Sequence, residues 1–258
     1  MHTRTWRQRG RKMNQIPLSD EQLTELVARQ QLLDAAFAKD CWRWCCEQVV
    51  TIDEAAEEGK SRRRRWPKHL KYVEEAMQIL KNERFVIFPK SRRMFCTWLI
   101  CAYLTHDTRF SADSANFILS ETESKAAFCI DKRCLHIEEN LRFPEFRKEV
   151  KTLRTKTGLV GRITYPHNNS YLWGLASTGD ALRAYTATKV FVDEIEFIEA
   201  APALVRALVP LVEGGAQAVF ASSSNGPTGI IAEFCRNVRF HKWEDIHNLA
   251  GEPIQYAS

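Results

Sequence analysis

The sequence lacks any apolar run that approaches the roughly 18–20 residues a membrane-spanning helix needs, so we expect no transmembrane segment and no membrane partner. Residues 1–12 are basic, but no apolar stretch follows them, which argues against a secretory signal. No internal repeat or low-complexity tract is present. The 258 residues are 45% hydrophobic and 27% charged, which is typical of a globular protein with one large domain and an appendage, or with two modest domains.

The sequence also lacks a C-x-x-C pair, although it contains eight cysteines. Three cysteines fall in one predicted helix and four form two pairs spaced by five residues: Cys41, Cys45, Cys46, Cys96, Cys101, Cys129 and Cys134. The histidines do not complete a set of four metal ligands. We therefore expect reduced cysteines that act as small hydrophobic residues in a cytosolic protein.

The N-terminal residues 1–60 are predicted to be helical, and residues 61–258 to form a second, larger domain. Ser19-Asp20-Glu21-Gln22 has the pattern of a capping box at a helix start. The charged stretch Glu54–Arg65 is predicted to be a loop or linker. A further helix is expected from about Pro67 to Leu80, because proline is favoured in a first turn.

From residue 84 onward, short apolar runs alternate with helical stretches. Strands are predicted at Arg84–Phe88, Asn116–Ser120, Arg162–Tyr165, Ser170–Ala176, Lys189–Asp193 and Ala216–Ser222. Helices are predicted at Thr97–Leu104, Thr122–Asn140, Pro144–Leu153 and Ala200–Leu211. This alternation indicates an α/β fold with a mostly parallel sheet, whose ligands bind beyond the carboxyl ends of the strands.

Positive charge is clustered, with a net charge of +5. One cluster lies within residues 4–12 and the second is Arg62–Arg65. Such clusters suit a polyanion such as DNA, and a solvated basic surface remains an equal alternative.

The predicted strand Lys189–Asp193 carries two adjacent carboxylates at its end, Asp193 and Glu194. In P-loop ATPases the first acid helps to hold Mg²⁺ and the second polarises the attacking water. Asp193 and Glu194 match those roles in order. The alternative is a strand that runs into an acidic loop, since Glu196 and Glu199 follow closely.

A phosphate-binding loop is expected between the first strand and the next helix, yet the standard G-x-x-x-x-G-K-[ST] motif is absent. If Thr97 is the terminal Ser/Thr, Phe95 and Cys96 occupy the usual Gly and Lys positions, and Lys90 occupies the first Gly position. A loop that wraps a phosphate brings its ends together, so Lys90 can replace the missing lysine. Arg92 and Arg93 add cationic donors. A basic turn without nucleotide is the alternative.

Residues 89–98 resemble the deviant Walker A loop of tailed-phage large terminase subunits. The resemblance extends through residues 120–123, the Arg183 region, the strand ending in Asp193-Glu194, and residues 221–226, and covers roughly residues 66–240. It implies an α/β P-loop NTPase fold of the ASCE type, with a mostly parallel sheet flanked by helices and a helical N-terminal segment.

The resemblance also implies roles for individual residues. Glu194 and a trans-acting Arg183 are the implied catalytic residues, and Thr97 and Asp193 the implied magnesium ligands. The implied phosphate-binding residues are Lys90, Ser91, Arg92, Arg93, Met94, Phe95, Cys96 and Thr97. The implied coupling residues, which sense the γ-phosphate, are Ser222, Ser223, Ser224 and Asn225.

The implied activity is ATP hydrolysis with Mg²⁺ that drives double-stranded DNA into a procapsid in the host cytoplasm. The implied partners are DNA, the small terminase subunit and the portal protein, with a homo-oligomeric ring during packaging and a monomer as the alternative for the chain alone. Full-length large terminases also carry a C-terminal nuclease, for which little sequence follows residue 226, so we expect an isolated ATPase domain.

Two other functions stay open at this stage. A helicase-like DNA translocase would share the acidic pair and the serine-rich strand end, but would normally have an intact Gly-Lys-Thr and a second motor domain. A DNA-binding protein with an inactive nucleotide site is favoured by the altered loop and disfavoured by the Asp193-Glu194 pair. Trp66, Pro67 and Arg84 lie suitably for adenine contacts, but nothing in the sequence selects among them.

Overall fold

The structure, a computed structural model, describes residues 19–53, 56, 61–91, 94–178, 182, 185–226 and 228–237. Its α-helices are α1 (Asp20–Lys39), α2 (Cys41–Gln48), α3 (Lys71–Asn82), α4 (Cys96–Phe110), α5 (Glu123–Cys129), α6 (His136–Glu139), α7 (Ala201–Glu213) and α8 (Ile230–Asn237). Its strands are β1 (Val50–Ile52), β2 (Arg63–Arg65), β3 (Phe85–Pro89), β4 (Ala115–Ser120), β5 (Lys151–Arg154), β6 (Val160–Tyr165), β7 (Ser170–Ala176), β8 (Lys189–Asp193) and β9 (Gln217–Ser222).

The central sheet has seven strands in the order β3-β9-β8-β4-β7-β6-β5. The first five strands in this order are parallel to their neighbours, and β6 and β5 complete the sheet in antiparallel pairs. The predicted α/β class with a mostly parallel sheet is therefore confirmed. Strand β9 lies between β3 and β8. The residues that follow these three strands therefore lie side by side at the carboxyl ends of the sheet.

Helices cover both faces of the sheet, which explains the continuous apolar runs of its strands. Every residue of β4 and β9 is buried. Along β8, Phe191 packs into the core beneath α3 and α4, whereas Val190 and Val192 pack into the core beneath α7. Strands buried on both faces are largely apolar, which is why they could be predicted well from the sequence.

The N-terminal helices pack onto the same core as the sheet. The predicted capping box at Ser19 and Gln22 is present, with both reciprocal hydrogen bonds. Phe37 and Trp44 are fully buried in the core that also contains residues of α4. No helix among the described residues is long and apolar enough to cross a membrane. The predicted boundary between residues 60 and 61 stays a prediction.

The predicted helix Pro144–Leu153 is wrong. A single 3-10 turn spans Pro144–Phe146, and residues 151–154 form strand β5 at the sheet edge. Phe146, Val150 and Leu153 are spaced like one face of a helix, but Leu153 is 57% exposed. The backbone groups of β5 pair with β6 instead, and an edge strand tolerates the charged side chains that surround it.

The predicted linker Glu54–Arg65 is also wrong at its C-terminal end. Arg63–Arg65 forms strand β2, which pairs antiparallel with β1. Pairing satisfies the backbone while all three arginine side chains stay exposed. The basic block is therefore held in an ordered two-stranded ribbon.

The predicted helix Thr122–Asn140 is confirmed in extent but is not a uniform α-helix. Thr122 caps α5 by accepting a hydrogen bond from the Lys125 backbone. Between α5 and α6 the chain adopts a π-helix over Ile130–Leu135. The wider turn inserts extra residues and rotates the following side chains, an effect that hydrophobic periodicity does not reveal.

Candidate active site

The carboxyl ends of β3, β9 and β8 lie side by side and bring three predicted segments together. The backbone N–H of Lys90 donates to the Ser222 carbonyl at 2.9 Å, and that of Glu194 donates to the Ala221 carbonyl at 2.7 Å. These bonds continue the sheet pairing by one residue past β3 and β8. The loop after β3, the acidic pair and the serine-rich strand end therefore share one edge.

The Lys90 ammonium lies at the centre of this group of side chains. Its Nζ lies 3.1 Å from Thr97 Oγ1, 3.1 Å from Asp193 Oδ1 and 3.1 Å from Glu194 Oε1. The Lys90 side chain is only 11% exposed. A lysine ammonium has three N–H donors, and these three oxygens use all of them.

The charges of this cluster stabilise one another. Burial by itself would lower the pKa of the Lys90 ammonium, but the carboxylates of Asp193 and Glu194 outweigh it and raise the pKa above the usual value. Burial by itself would raise the pKa of the Glu194 carboxyl, but the Lys90 charge and the hydrogen bonds from Lys90 and the serines lower it below the usual value. Lys90 and Glu194 are therefore both ionised at neutral pH.

Phe95, the residue before α4, has a backbone conformation that glycine usually adopts. Phe95 has φ 60° and ψ 0°, in the left-handed region, at the position where the standard motif has its second glycine. The Phe95 ring packs edge-on against Trp66 at 5.0 Å between centroids. The Tyr72 hydroxyl donates to the Met94 carbonyl at 3.2 Å. The Ser91 N–H lies 3.2 Å from the Met94 sulfur.

Cys96, at the usual lysine position, is the first residue of α4 and is buried. Burial raises the pKa of its thiol to about 12 in spite of the nearby Lys90 charge. The side chain is thus neutral at physiological pH. Arg92 and Arg93 lie outside the described residues, so among the described residues of the loop the positive charge is that of Lys90.

The two predicted magnesium ligands fit such an ion. Thr97 Oγ1 and Asp193 Oδ1 converge on one point, which the Lys90 ammonium marks with a positive charge. Magnesium in nucleotide sites uses one or two protein oxygens and completes its shell with phosphates and water. In addition, no side chain among the described residues caps the first turn of α4, whose N–H groups favour an anion.

Glu194 is fixed through both carboxylate oxygens. Oε1 contacts Lys90, whereas Oε2 accepts hydrogen bonds from the Ser223 N–H at 3.2 Å and lies 3.1 Å from Ser222 Oγ. The Glu194 backbone has φ 54° and ψ 48°, again left-handed. A non-glycine residue in this region costs roughly 1–3 kcal/mol and is typical of functional sites.

Some predicted residues do not join the cluster. Ser224 is exposed and hydrogen-bonds to Gly226 instead, and Asn225 is exposed. Arg183 lies outside the described residues. Glu121, which precedes the cap of α5, contacts Lys125 in that helix. The structure thus brings Ser222 and Ser223, but not Ser224 and Asn225, to Glu194.

Sequence reasoning missed two residues that contact the cluster. Cys129 Sγ lies 3.8 Å from Asp193 Oδ2, and Glu196 lies beside Ser222. Cys129 looked like an ordinary small hydrophobic residue, and Glu196 looked like part of an acidic loop. Both contacts join residues far apart in sequence, so no local pattern signals them.

Comparison with known proteins identifies the fold. No family model and no curated protein matches the sequence. The large terminase of bacteriophage HK97 matches over 78% of this chain and 40% of its own, with a TM-score of 0.54 and 10% identity. The chain therefore shares its fold with part of the HK97 large terminase.

Two further solved structures are similar to lesser degrees. The ATPase domain of a Thermus phage large terminase matches 58% of this chain and 64% of its own, with 16% identity and a TM-score of 0.43. An arginine-to-alanine mutant of that domain matches 67% of this chain and 73% of its own, with 18% identity and a TM-score of 0.48. The chain thus spans less than two thirds of the first of these domains and of the HK97 protein.

Within this terminase-like fold, the residues considered for adenine contacts differ in exposure. Trp66 is 3% exposed and packs between Trp42 and Phe95. Trp66 therefore packs against the loop residue Phe95 from the protein interior. Pro67 is buried and Arg84 is exposed.

Proposed function

We propose that this chain binds ATP with Mg²⁺ at the carboxyl edge of its sheet and hydrolyses it, as the motor domain of a viral DNA-packaging terminase. The observation that carries the proposal is the convergence of Thr97, Asp193 and Glu194 on the Lys90 ammonium. P-loop NTPases perform phosphoryl transfer with a lysine, a hydroxyl at a helix start and an acidic strand end, and these residues supply that set.

Each residue of the cluster has a chemical role in this proposal. Lys90 supplies positive charge to the β- and γ-phosphates. It takes the role of the lysine of the standard motif, whose position Cys96 occupies. The first-turn N–H groups of α4 bind phosphate oxygens. Thr97 and Asp193 hold the magnesium ion, which neutralises charge that develops on the phosphates. Glu194 orients and polarises the attacking water, and its fixed carboxylate favours one geometry for that water.

The proposal extends to the assembly. A ring of subunits in which Arg183 reaches the neighbouring site would complete each active site. Translocated double-stranded DNA, the small terminase subunit and the portal protein are the partners, and the procapsid in the host cytoplasm is the place of action. The fold likeness to the HK97 terminase supports this context, and the exposed arginines of β2 suit a DNA backbone.

A substitution of the catalytic carboxylate tests the hydrolytic function. Glu194→Gln keeps the shape and the serine contacts but loses the base, so nucleotide affinity stays nearly intact while the turnover of ATP falls by on the order of 10²-fold or more. Glu199→Gln, an exposed acid in the same loop, is the matched control and keeps wild-type turnover. Unchanged turnover in Glu194→Gln would refute the assignment.

An inactive nucleotide site in a DNA-binding protein is the second candidate. The full pairing of Lys90 with protein oxygens favours it, because a bound phosphate must displace some of those contacts. Isothermal titration with Mg²⁺ and a non-hydrolysable ATP analogue separates the two. Binding at micromolar concentration supports the ATPase, whereas absence of binding at millimolar analogue supports the inactive site.

A further inference from the structure

Glu196 contacts the candidate site on one side and helix α8 on the other. Its backbone N–H donates to Ser222 Oγ at 3.2 Å, and the same hydroxyl lies 3.1 Å from Glu194 Oε2. Its carboxylate Oε2 accepts a hydrogen bond from the Ile231 N–H at 2.9 Å, in the first turn of α8. One acidic residue thus links the serine that holds Glu194 to a helix start.

The space around the Glu196 carboxylate is shaped for this contact. A Cβ atom at position 229 would lie 1.4 Å from Glu196 Oε1 and 2.4 Å from its Cδ. Gly229 immediately precedes α8, so a glycine there lets the carboxylate reach the free N–H groups of the helix. A carboxylate at a helix N-terminus is favoured by both the hydrogen bond and the helix dipole.

Helix α8 is connected to the sheet end by aromatic packing. Ile231 is 2% exposed, and the Phe234 ring lies 5.9 Å from Phe85 and 5.6 Å from Phe220 between centroids. The helix therefore rests on β3 and β9, the strands that lead to Lys90 and Ser222. A shift at the first turn of α8 would therefore change the packing of Phe234 on Phe85 and Phe220.

We propose that Glu196 is a positioning residue that couples the state of Glu194, through Ser222, to the position of helix α8. The proposal rests on the proposed ATPase function, in which the contacts of Glu194 change when nucleotide binds. Glu196 touches no substrate; it fixes the distance between the serine hydroxyl and the α8 start. Ser222 Oγ also lies 3.0 Å from the Ser223 carbonyl, so its single proton has a second acceptor when Glu194 moves.

Amide hydrogen exchange of α8 without nucleotide tests the link itself. Glu196→Ala removes the contact, and Gly229→Ala displaces the carboxylate while its charge remains; both are expected to speed exchange in residues 230–237 about tenfold, as for loss of one charge-assisted hydrogen bond. Ser222→Ala, which does not touch α8, is expected to speed exchange in the same helix severalfold. Added to Glu196→Ala, it is expected to cause no further increase.

Glu199→Ala is the matched control, because Glu199 is exposed in the same loop, and it is expected to leave α8 exchange unchanged. The coupling is overturned if α8 exchanges at the wild-type rate in Ser222→Ala. It is also overturned if the effect of Ser222→Ala adds fully to that of Glu196→Ala. Wild-type exchange in both Glu196→Ala and Gly229→Ala would overturn the link to α8.

A second measurement uses Mg²⁺ and a non-hydrolysable ATP analogue. In the wild type the analogue is expected to change α8 exchange at least threefold, and in Glu196→Ala this change disappears while analogue affinity stays within about threefold. An unchanged response in Glu196→Ala contradicts the coupling, as does a wild type that binds the analogue without any α8 response. A wild type that does not bind the analogue contradicts the proposed ATPase instead, and the exchange without nucleotide still decides the link.

Discussion

Phe95 allows a direct test of the loop geometry, because its side chain stabilises the protein and its backbone destabilises it. The ring is 7% exposed and packs on Trp66 at 5.0 Å between centroids. The backbone has φ 60°, which glycine adopts freely and other residues adopt at a cost. Phe95→Ala and Phe95→Gly remove the same ring but differ in this cost.

The magnitudes follow from these two features. Removing a buried phenylalanine ring costs about 3–5 kcal/mol of unfolding free energy, including about 0.5–1.5 kcal/mol for its aromatic pair. Alanine keeps a left-handed penalty of roughly 1–2 kcal/mol, whereas glycine loses that penalty and pays about 0.5–1 kcal/mol of extra chain entropy. Phe95→Gly is therefore expected to be more stable than Phe95→Ala by about 0–1.5 kcal/mol.

Equilibrium unfolding in urea, followed by circular dichroism, measures this difference. Phe128 on α5 is the matched control, because it is 42% exposed and helical. At Phe128 the order reverses, with glycine about 1 kcal/mol less stable than alanine. If Phe95→Gly is less stable than Phe95→Ala, as at Phe128, the left-handed loop and the alignment of Phe95 with the motif glycine are both wrong.

Three other predictions concern charge. Lys90→Ala is expected to lose most Mg²⁺-ATP binding in titration calorimetry, while Cys96→Ala keeps nearly wild-type binding. Adding Cys96→Lys to Lys90→Ala is expected to restore binding. Full binding by Lys90→Ala would contradict the assignment. Glu138→Ala removes the buried carboxylate from the fully buried Arg109, which keeps the Phe146 carbonyl and the more distant Asp34, and should cost about 3–5 kcal/mol in urea unfolding, a loss under 1 kcal/mol being the contrary result. Alanines at Arg62–Arg65 should flatten the salt dependence of duplex DNA binding, and an unchanged slope would leave the block as a solvated surface.

The strands and their acidic end could be predicted because burial leaves a clear signature. A strand covered on both faces is largely apolar, so a pair of adjacent carboxylates marks its end. All six predicted strands are present, and Asp193 and Glu194 lie at the end of β8. Helix ends were less accurate: α4 extends to Phe110, six residues beyond the predicted end, through a stretch that includes the buried polar residues Thr105, Thr108 and Arg109.

The remaining features depend on contacts between distant residues. The segment 144–153 has helical spacing of apolar residues, yet its last residues pair with β6 as strand β5. The left-handed Phe95 packs its ring against Trp66, which is distant in sequence, and the contact of Glu196 with α8 needs the space that Gly229, 33 residues away, leaves open. Neither leaves a pattern within a window of the length that periodicity uses.

Lys90 shows that the sequence could predict a displaced positive charge in this loop, but not the position of its ammonium. Lys90 and Thr97 are seven residues apart, yet Nζ and Oγ1 lie 3.1 Å apart because the loop returns to the strand it leaves. A lysine at either end of such a loop reaches the same point between the helix start and the acidic strand. On the proposed function the site needs a charge at a position in space, and Cys96 is free to be a buried, neutral residue. This is the physical reason to expect that a lysine placed at position 96 can replace the one at position 90.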